Sequence, residues 1–371
     1  MFTSQDLDKL LSFRSEQAHV LSLYLNVDPT QQTTEKWKLM LRSLLKEAAG
    51  DAEPADIEAV ERYFDFEYDW KGKGVAVFSC QEANFWATHS LAVPVQNQAY
   101  VSHRPYIKPL TDVLDAYGRY GVVLVDGVGA RMFLFNLGEL VETTGLLGEE
   151  VRRAKHGAAS GVAGMRGGAA TRTARREESV IERNLKEVAD ATEAFCTKGG
   201  CTRLVLSGTD ANVSQFEDLL PKVLRDKVIG HFPIEFGAPV AEIQSRSMEI
   251  IEQEALEREE ALVEELLARW KRGAGAAVGL SDTLAALQEH RPSTLLIGAG
   301  LSASGYRCQD CRYLMLTERE ECPLCGGAIE AVDDLVDTMT HRALEQGVDV
   351  EIVRGNAALK EAGSIGALLR F

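Results

Sequence analysis

No stretch of this 371-residue chain approaches the roughly 18 to 20 uninterrupted apolar residues of a membrane-spanning helix. The opening residues, Met1 to Phe13, lack the basic start and apolar core of a secretory signal. They read instead as a helix capped by Ser4, with Leu7, Leu10 and Leu11 on one face. Together these absences predict a cytoplasmic protein with no membrane association. A nucleotide-binding P-loop is also missing, so any GTP chemistry would belong to a partner. Positive charge is in short supply: 40 basic residues against 56 acidic give a net charge of −16. Taken over the whole surface, that argues against indiscriminate binding to nucleic acid. Seven cysteines are an odd number, and in a long cytoplasmic chain they do not suggest a disulfide framework. No fixed-period repeat occurs.

What is there is ordinary globular material, 45% hydrophobic and 26% charged, enough for two or three domains. Residues 19–28, HVLSLYLNVD, alternate as a strand and precede the helical EKWKLMLRSLLKEAA. GKGVAVFSC and ANFWATHSLAVPV read as two further strands, and the two prolines of RPYIKPL place a boundary near residue 110. YGVVLVDGVGARMFLFN reads as a hairpin turning at Asp126-Gly127. After it, Ile181, Leu185, Val188, Ala191 and Phe195 recur at helical spacing, followed by TRLVLSGT as a buried strand, a helix, and VIGHFPIEF as a strand. Such alternation implies a partly parallel sheet. Residues 239–272 read as one long charged helix, broken by Gly273 and Gly275. The last hundred residues again alternate helix and strand, with a cysteine segment inserted among them.

That segment, YRCQDCRYLMLTEREECPLCGG, sets two C-x-x-C knuckles ten residues apart. Each knuckle turns two sulfurs toward one point, and four thiolates satisfy tetrahedral Zn²⁺ with no position left for water. Cys308, Cys311, Cys322 and Cys325 therefore predict a structural zinc site, preferred over redox chemistry because the knuckles are paired. Cys80, Cys196 and Cys201 read as ordinary small buried residues.

Residues 151–176, VRRAKHGAASGVAGMRGGAATRTARR, carry seven basic groups and no carboxylate. The segment lacks an apolar periodicity and reads as a long loop. Arg166, Gly167, Gly168 and Ala169 lie together, with Lys155 ahead of them and Arg172, Arg175 and Arg176 behind. Glycine lets backbone approach another molecule closely, and arginine pairs with phosphate. Composition leaves two readings open, a solvated linker and an RNA-contacting finger. Glu177 and Glu178 would then favour the N-terminus of the helix that follows.

The order of parts resembles the archaeal and eukaryotic class I peptide release factor family, which includes Pelota and divergent bacterial members. A Gly-Gly loop opens a long helix of a central domain, a connector follows, and a zinc insertion sits in the last domain, which ends AGSIGALLRF. The resemblance covers about residues 114–371 and is weak before them. It implies three α/β domains: an N-terminal one (1–112), a central one with a ribonuclease H-like mixed sheet (113–238) holding the loop 151–176, and a C-terminal α/β sandwich (273–371). The last would carry a zinc mini-domain at 306–327, and 239–272 would connect the second and third. Implied partners are the ribosome with its rRNA and tRNA, and a translational GTPase at the C-terminal domain. By the same resemblance Gly167, Gly168 and Ala169 stand at the catalytic loop tip, with Lys155, Arg166, Arg172, Arg175 and Arg176 on RNA.

One departure governs function. The family's Gly-Gly-Gln motif promotes hydrolysis of peptidyl-tRNA, and here Ala169 replaces the glutamine. Nor does the N-terminal part contain the Asn-Ile-Lys-Ser segment that eukaryotic and archaeal factors use in stop-codon reading. The expectation is a ribosome-binding, release-factor-like protein of the A site, acting in rescue, quality control or hibernation. The alternative is peptidyl-tRNA hydrolysis by a Gly-Gly-Ala loop. A nuclease with Asp126 on Mg²⁺ ranks last, for want of converging carboxylates. His156 and His231 have no acid–base partner identifiable in the sequence.

Overall fold

A computed structural model describes residues 4–15, 18–31, 33–69, 72–148 and 167–370; for residues 4, 5, 115 and 167–177 the description is of the backbone. The chain forms two compact units, Met1–Ala116 with Ala255–Phe371, and Tyr117–Glu254. The fold is mixed α/β with several sheets. None of the described helices is long and apolar enough to cross a membrane.

The first unit begins with α1 (Ser4–Ser12), β1 (Val20–Asn26), α2 (Thr34–Ala48), α3 (Pro54–Arg62), β2 (Gly74–Cys80), β3 (Phe85–Leu91), β4 (Gln98–Ser102) and α4 (Lys108–Tyr117). Its four strands pair antiparallel in the order β3-β2-β1-β4. Leu21, Leu23 and Leu25 of β1 pack with Trp37, Leu41 and Leu44 of α2. Alternation in β1 suggests one solvent-facing side, yet Ser22 and Tyr24 are also fully buried. Their hydroxyls are satisfied by one residue: the Tyr106 N–H donates to Ser22 Oγ at 3.0 Å, and Tyr24 Oη donates to the Tyr106 carbonyl at 2.6 Å. A paired hydroxyl can be buried at little cost, so the polar positions of β1 did not mark an exposed face.

The second unit contains β5 (Tyr120–Asp126), β6 (Gly129–Asn136), β7 (Glu139–Leu147), α5 (Gly167–Gly199), β8 (Arg203–Gly208), α6 (Asp210–Leu219), α7 (Lys222–Arg225) and β9 (Val228–Phe232). The strand order is β7-β6-β5-β8-β9, antiparallel from β7 to β5 and parallel from β5 to β9. This is the mixed sheet expected of a ribonuclease H-like fold. Leu185, Val188 and Phe195 of α5 cover one face of it, packing with Val123, Met132 and Leu206. Ile243 and Ile251, from the start of α8 (Val240–Lys271), pack on the other. The β5–β6 loop is Gly127-Val128, one residue beyond the expected turn, because Asp126 still pairs with Gly129.

From Ala255 onward α8 belongs to the first unit. There follow β10 (Ala276–Val278), α9 (Leu280–Gln288), β11 (Pro292–Gly298), β12 (Gly305–Cys308), β13 (Leu314–Met315), β14 (Ile329–Val332), α10 (Leu335–Glu345), β15 (Asp349–Val353), α11 (Ala357–Glu361) and β16 (Ile365–Leu369). A four-stranded sheet, β10-β16-β11-β15, lies between two apolar layers. Leu287 of α9 and Met339 of α10 pack on one side, Leu266 of α8 and Leu359 of α11 on the other. Strands β12 to β14 form a separate small sheet, inserted between β11 and α10. The Lys108 ammonium reaches Asp334 Oδ2 at 3.3 Å, both side chains nearly devoid of solvent, and Tyr106 Oη donates to the same oxygen at 3.3 Å.

Candidate functional site

Two features carry chemistry, one in each unit. In the first, β12 pairs with both β13 and β14, and the two knuckles hang from the ends of this sheet. Each knuckle closes in the same way. The N–H of Cys308 bonds the Tyr313 carbonyl at 2.9 Å, and that of Cys322 bonds the Gly327 carbonyl at 3.0 Å. Arg312 N–H returns to the Cys308 carbonyl at 3.1 Å, and Gly326 N–H to the Cys322 carbonyl at 2.9 Å. Both returning residues are left-handed, with φ of 61° and 72°. Glycine meets that requirement without strain; Arg312 does not, and its position in the sequence gave no signal of it.

The four sulfurs converge. Cys308 Sγ lies 3.4 Å from Cys325 Sγ, Cys311 Sγ lies 3.5 Å from Cys322 Sγ, and all four fall within 4.8 Å of one another. A tetrahedral tetrathiolate with metal–sulfur bonds of about 2.3 Å has sulfur–sulfur edges of about 3.8 Å, so the donor set fits a single ion. Crowded thiols cannot all hold protons alike. Cys322 is lowered to about 7: burial opposes the shift, while backbone N–H groups of Leu324 and Cys325 and the neighbouring thiols drive it. A deprotonated sulfur is what a metal needs. Among the described residues these cysteines are the one cluster of three or more Cys, His, Asp or Glu donors close enough to share an ion.

The small sheet is fastened to its unit by packing and by a hydrogen bond. Leu314 is buried in the core with Leu287 and Met339, and its N–H donates to Gln288 Oε1 at 3.0 Å. Across the β12–β14 pair, Arg307 Nε donates to Glu330 Oε1 at 2.7 Å.

In the second unit α5 is 33 residues long, and its backbone is helical from Gly167 onward. The expected loop 151–176 is therefore corrected over its last ten residues: Gly167 to Arg176 belong to the helix. Ala169, Ala170, Ala174 and the three arginines are good helix formers, and the lack of an apolar periodicity in the sequence does not preclude a helix. Glu177 and Glu178 accordingly stand one-third of the way along α5 and not at its start. Lys155, Arg166 and His156 lie outside the described residues, as do the side chains of Arg172, Arg175 and Arg176.

The first described α5 side chain packed on the unit's core is Ile181. One turn on, Asn184 Nδ2 donates to the Gly127 carbonyl at 3.0 Å, tethering α5 to the β5–β6 turn. Fourteen residues, 167 to 180, precede Ile181, about 21 Å of helix at 1.5 Å per residue. Gly167, Gly168 and Ala169 form the first residues of that length. Asp126 does not gather carboxylates; its Oδ1 accepts from Gly127 N–H at 2.6 Å and from Asn212 Nδ2 at 3.4 Å, a turn-capping role. His231 is exposed on β9.

Residues 105–252 match the family model of the bacterial archaeo-eukaryotic release factor family 10, 148 of the 371 residues. A comparison with curated proteins returned no match. Among solved structures, the archaeal translation termination factor aRF1 is 16% identical, with 99% of this chain and 97% of that one covered and a TM-score of 0.27. Pelota of Archaeoglobus fulgidus is 16% identical over 80% of this chain and 79% of that one, with a TM-score of 0.35. Dom34 of S. cerevisiae is 9% identical over 80% of each, with a TM-score of 0.40. At these identities and TM-scores the structural likenesses bear no weight for activity or partners. The central match makes residues 105–252 similar to that family, over less than half of the chain.

Proposed function

We propose that this chain is a ribosome-binding protein that occupies the A site in rescue, quality control or hibernation, with zinc held by Cys308, Cys311, Cys322 and Cys325. The observation that carries the reading is α5: a helix whose first described side chain on the core is Ile181 and whose backbone begins with Gly167, Gly168 and Ala169. Arg172, Arg175 and Arg176 fall within that leading part, and the N-terminal end of any helix adds partial positive charge. In a chain of net charge −16 this concentrates attraction for phosphate at one place. Folded RNA, read through its backbone and shape, is the ligand such an arm suits.

Ala169 brings a methyl group where the family's glutamine brings an amide. Without that polar group nothing on this side chain can orient water or a developing oxyanion, an organised contact worth about a hundredfold or more in rate. Occupancy without hydrolysis is therefore the proposed activity, and any GTP hydrolysis belongs to a translational GTPase docking on the C-terminal sheet. The cysteine site supports a structural zinc, since four thiolates leave no open position for a substrate.

Cosedimentation with ribosomes tests the reading. The wild-type chain should pellet with ribosomes, and Arg172→Ala, Arg175→Ala and Arg176→Ala combined should weaken binding and flatten its salt dependence. Ribosome binding equal in the triple variant would remove the arm from the account; no binding by the wild type in growth, stress or stalling would remove the function.

A further inference from the structure

Helix α5 ends in a Schellman turn. Gly200 is left-handed at φ 64°, its N–H points to the Thr197 carbonyl at 3.4 Å, and the N–H of Cys201 bonds the Cys196 carbonyl at 3.0 Å. In such a turn the side chains at the two ends of the six-residue span meet, usually as an apolar contact. Here both ends are cysteine. A backbone bond between the two cysteines holds their main chains together, as a disulfide, which spans Cα atoms about 4.4–6.8 Å apart, requires.

The thiols are buried and share a hydrogen bond. Room for them comes from β5. A Cβ at Gly121 would lie 3.2 Å from Cys201 Sγ and 3.6 Å from Cys196 Sγ, so glycine at that position leaves space that both sulfurs use. Thr197, Lys198, Gly200 and Thr202 are exposed, which puts the pair one residue beneath the surface at a helix end. Helix ends open locally at small cost, which gives a small oxidant its route.

The two sulfurs are unequal. Cys201 is held below the usual thiol value by the hydrogen bond from Cys196, against burial and with help from the Lys227 ammonium; Cys196 is pushed up by the same hydrogen bond and by burial. Lys227 Nζ also holds the Cys201 carbonyl at 2.7 Å.

We propose that Cys196 and Cys201 form a modification site, a dithiol that hydrogen peroxide converts to an intramolecular disulfide at the C-terminal turn of α5. The Cys201 thiolate attacks one peroxide oxygen; the O–O bond breaks, hydroxide leaves, and a sulfenic acid remains. Cys196 sulfur then attacks that sulfenic sulfur, the S–O bond breaks, and the Cys196 proton departs with hydroxide as water. Two thiols lose two electrons and one peroxide gains them. Cys80 is equally buried, but in the other unit, and burial pushes its thiol up. It is the internal reference.

The test treats the full-length chain with hydrogen peroxide, then denatures, alkylates and maps it by mass spectrometry. A Cys196–Cys201 cross-linked peptide should form at least about tenfold faster than Cys80 is oxidised. In Cys196→Ser, dimedone should label Cys201 at the same peroxide dose. Oxidation of both residues without a cross-link, a rate no greater than that of Cys80, or an unlabelled Cys201 in Cys196→Ser would overturn the proposal.

Discussion

Arg312 and Gly326 occupy the same place in two copies of one turn. Each follows the second cysteine of its knuckle in a left-handed conformation, and each returns its N–H to the carbonyl of the first cysteine. The two copies aim four sulfurs at one point, yet only one uses the residue that adopts this backbone freely.

That asymmetry sets the first prediction. Gly326→Val places a β-branched residue at positive φ, costing about 1–2 kcal/mol or more, and should weaken zinc binding about tenfold. Arg312→Gly should leave affinity within about threefold of the wild type, since relief of strain offsets the greater freedom of the unfolded chain. Competition with a chromophoric chelator measures both.

Replacing any one ribbon cysteine tests the donor set. Cys308→Ser or Cys325→Ser should reduce bound zinc from about one ion per purified chain to near zero after dialysis, by metal analysis. Full retention of zinc in either variant would show that the ion sits elsewhere.

The Lys108–Asp334 pair makes the third prediction. Lys108→Met leaves a buried carboxylate without its cation and should cost about 3–5 kcal/mol in urea unfolding. Adding Asp334→Asn should recover part of that loss. Asparagine removes the charge and can still accept the N–H groups of Val336 and Asp337 that Asp334 Oδ1 now caps.

Asp337 supplies a pH dependence. Burial, then the neighbouring Asp334 charge, raise its carboxyl to about 7, against about 3.9 in an unfolded chain. Between these values the folded state binds the extra proton, so the stability this group contributes is complete below about pH 4 and lost as pH rises to about 7. In Asp337→Asn the loss disappears. Relative to the wild type, the variant should therefore gain stability from about pH 4.5 to about pH 7.5, by more than about 1 kcal/mol. His341, lowered to about 3 mainly by its own burial, contributes the opposite slope in both proteins.

The ribbon and the central sheet were legible because their signals are local: cysteine spacing, a turn pair, and apolar periodicity. What lay outside the sequence's reach was long-range or had no side-chain signature. Ser22 and Tyr24 look like the wet side of a strand until Tyr106, more than eighty residues on, satisfies them. Asn184 gives no hint that it holds Gly127. Residues 167–176 read as loop because the stretch shows no apolar periodicity, yet their backbone is helical. Cys196 and Cys201 passed for ordinary buried cysteines, although Gly199-Gly200 between them is a helix-ending signal that sets their contact.

A cryo-EM reconstruction of the full-length chain on the ribosome would show whether α5 enters the A site. Density is expected in the A site, with the Gly167–Gly168–Ala169 end of α5 directed toward the peptidyl transferase centre and Arg172, Arg175 and Arg176 against rRNA phosphates. Density outside the A site, or α5 turned with that end into solvent, would contradict it.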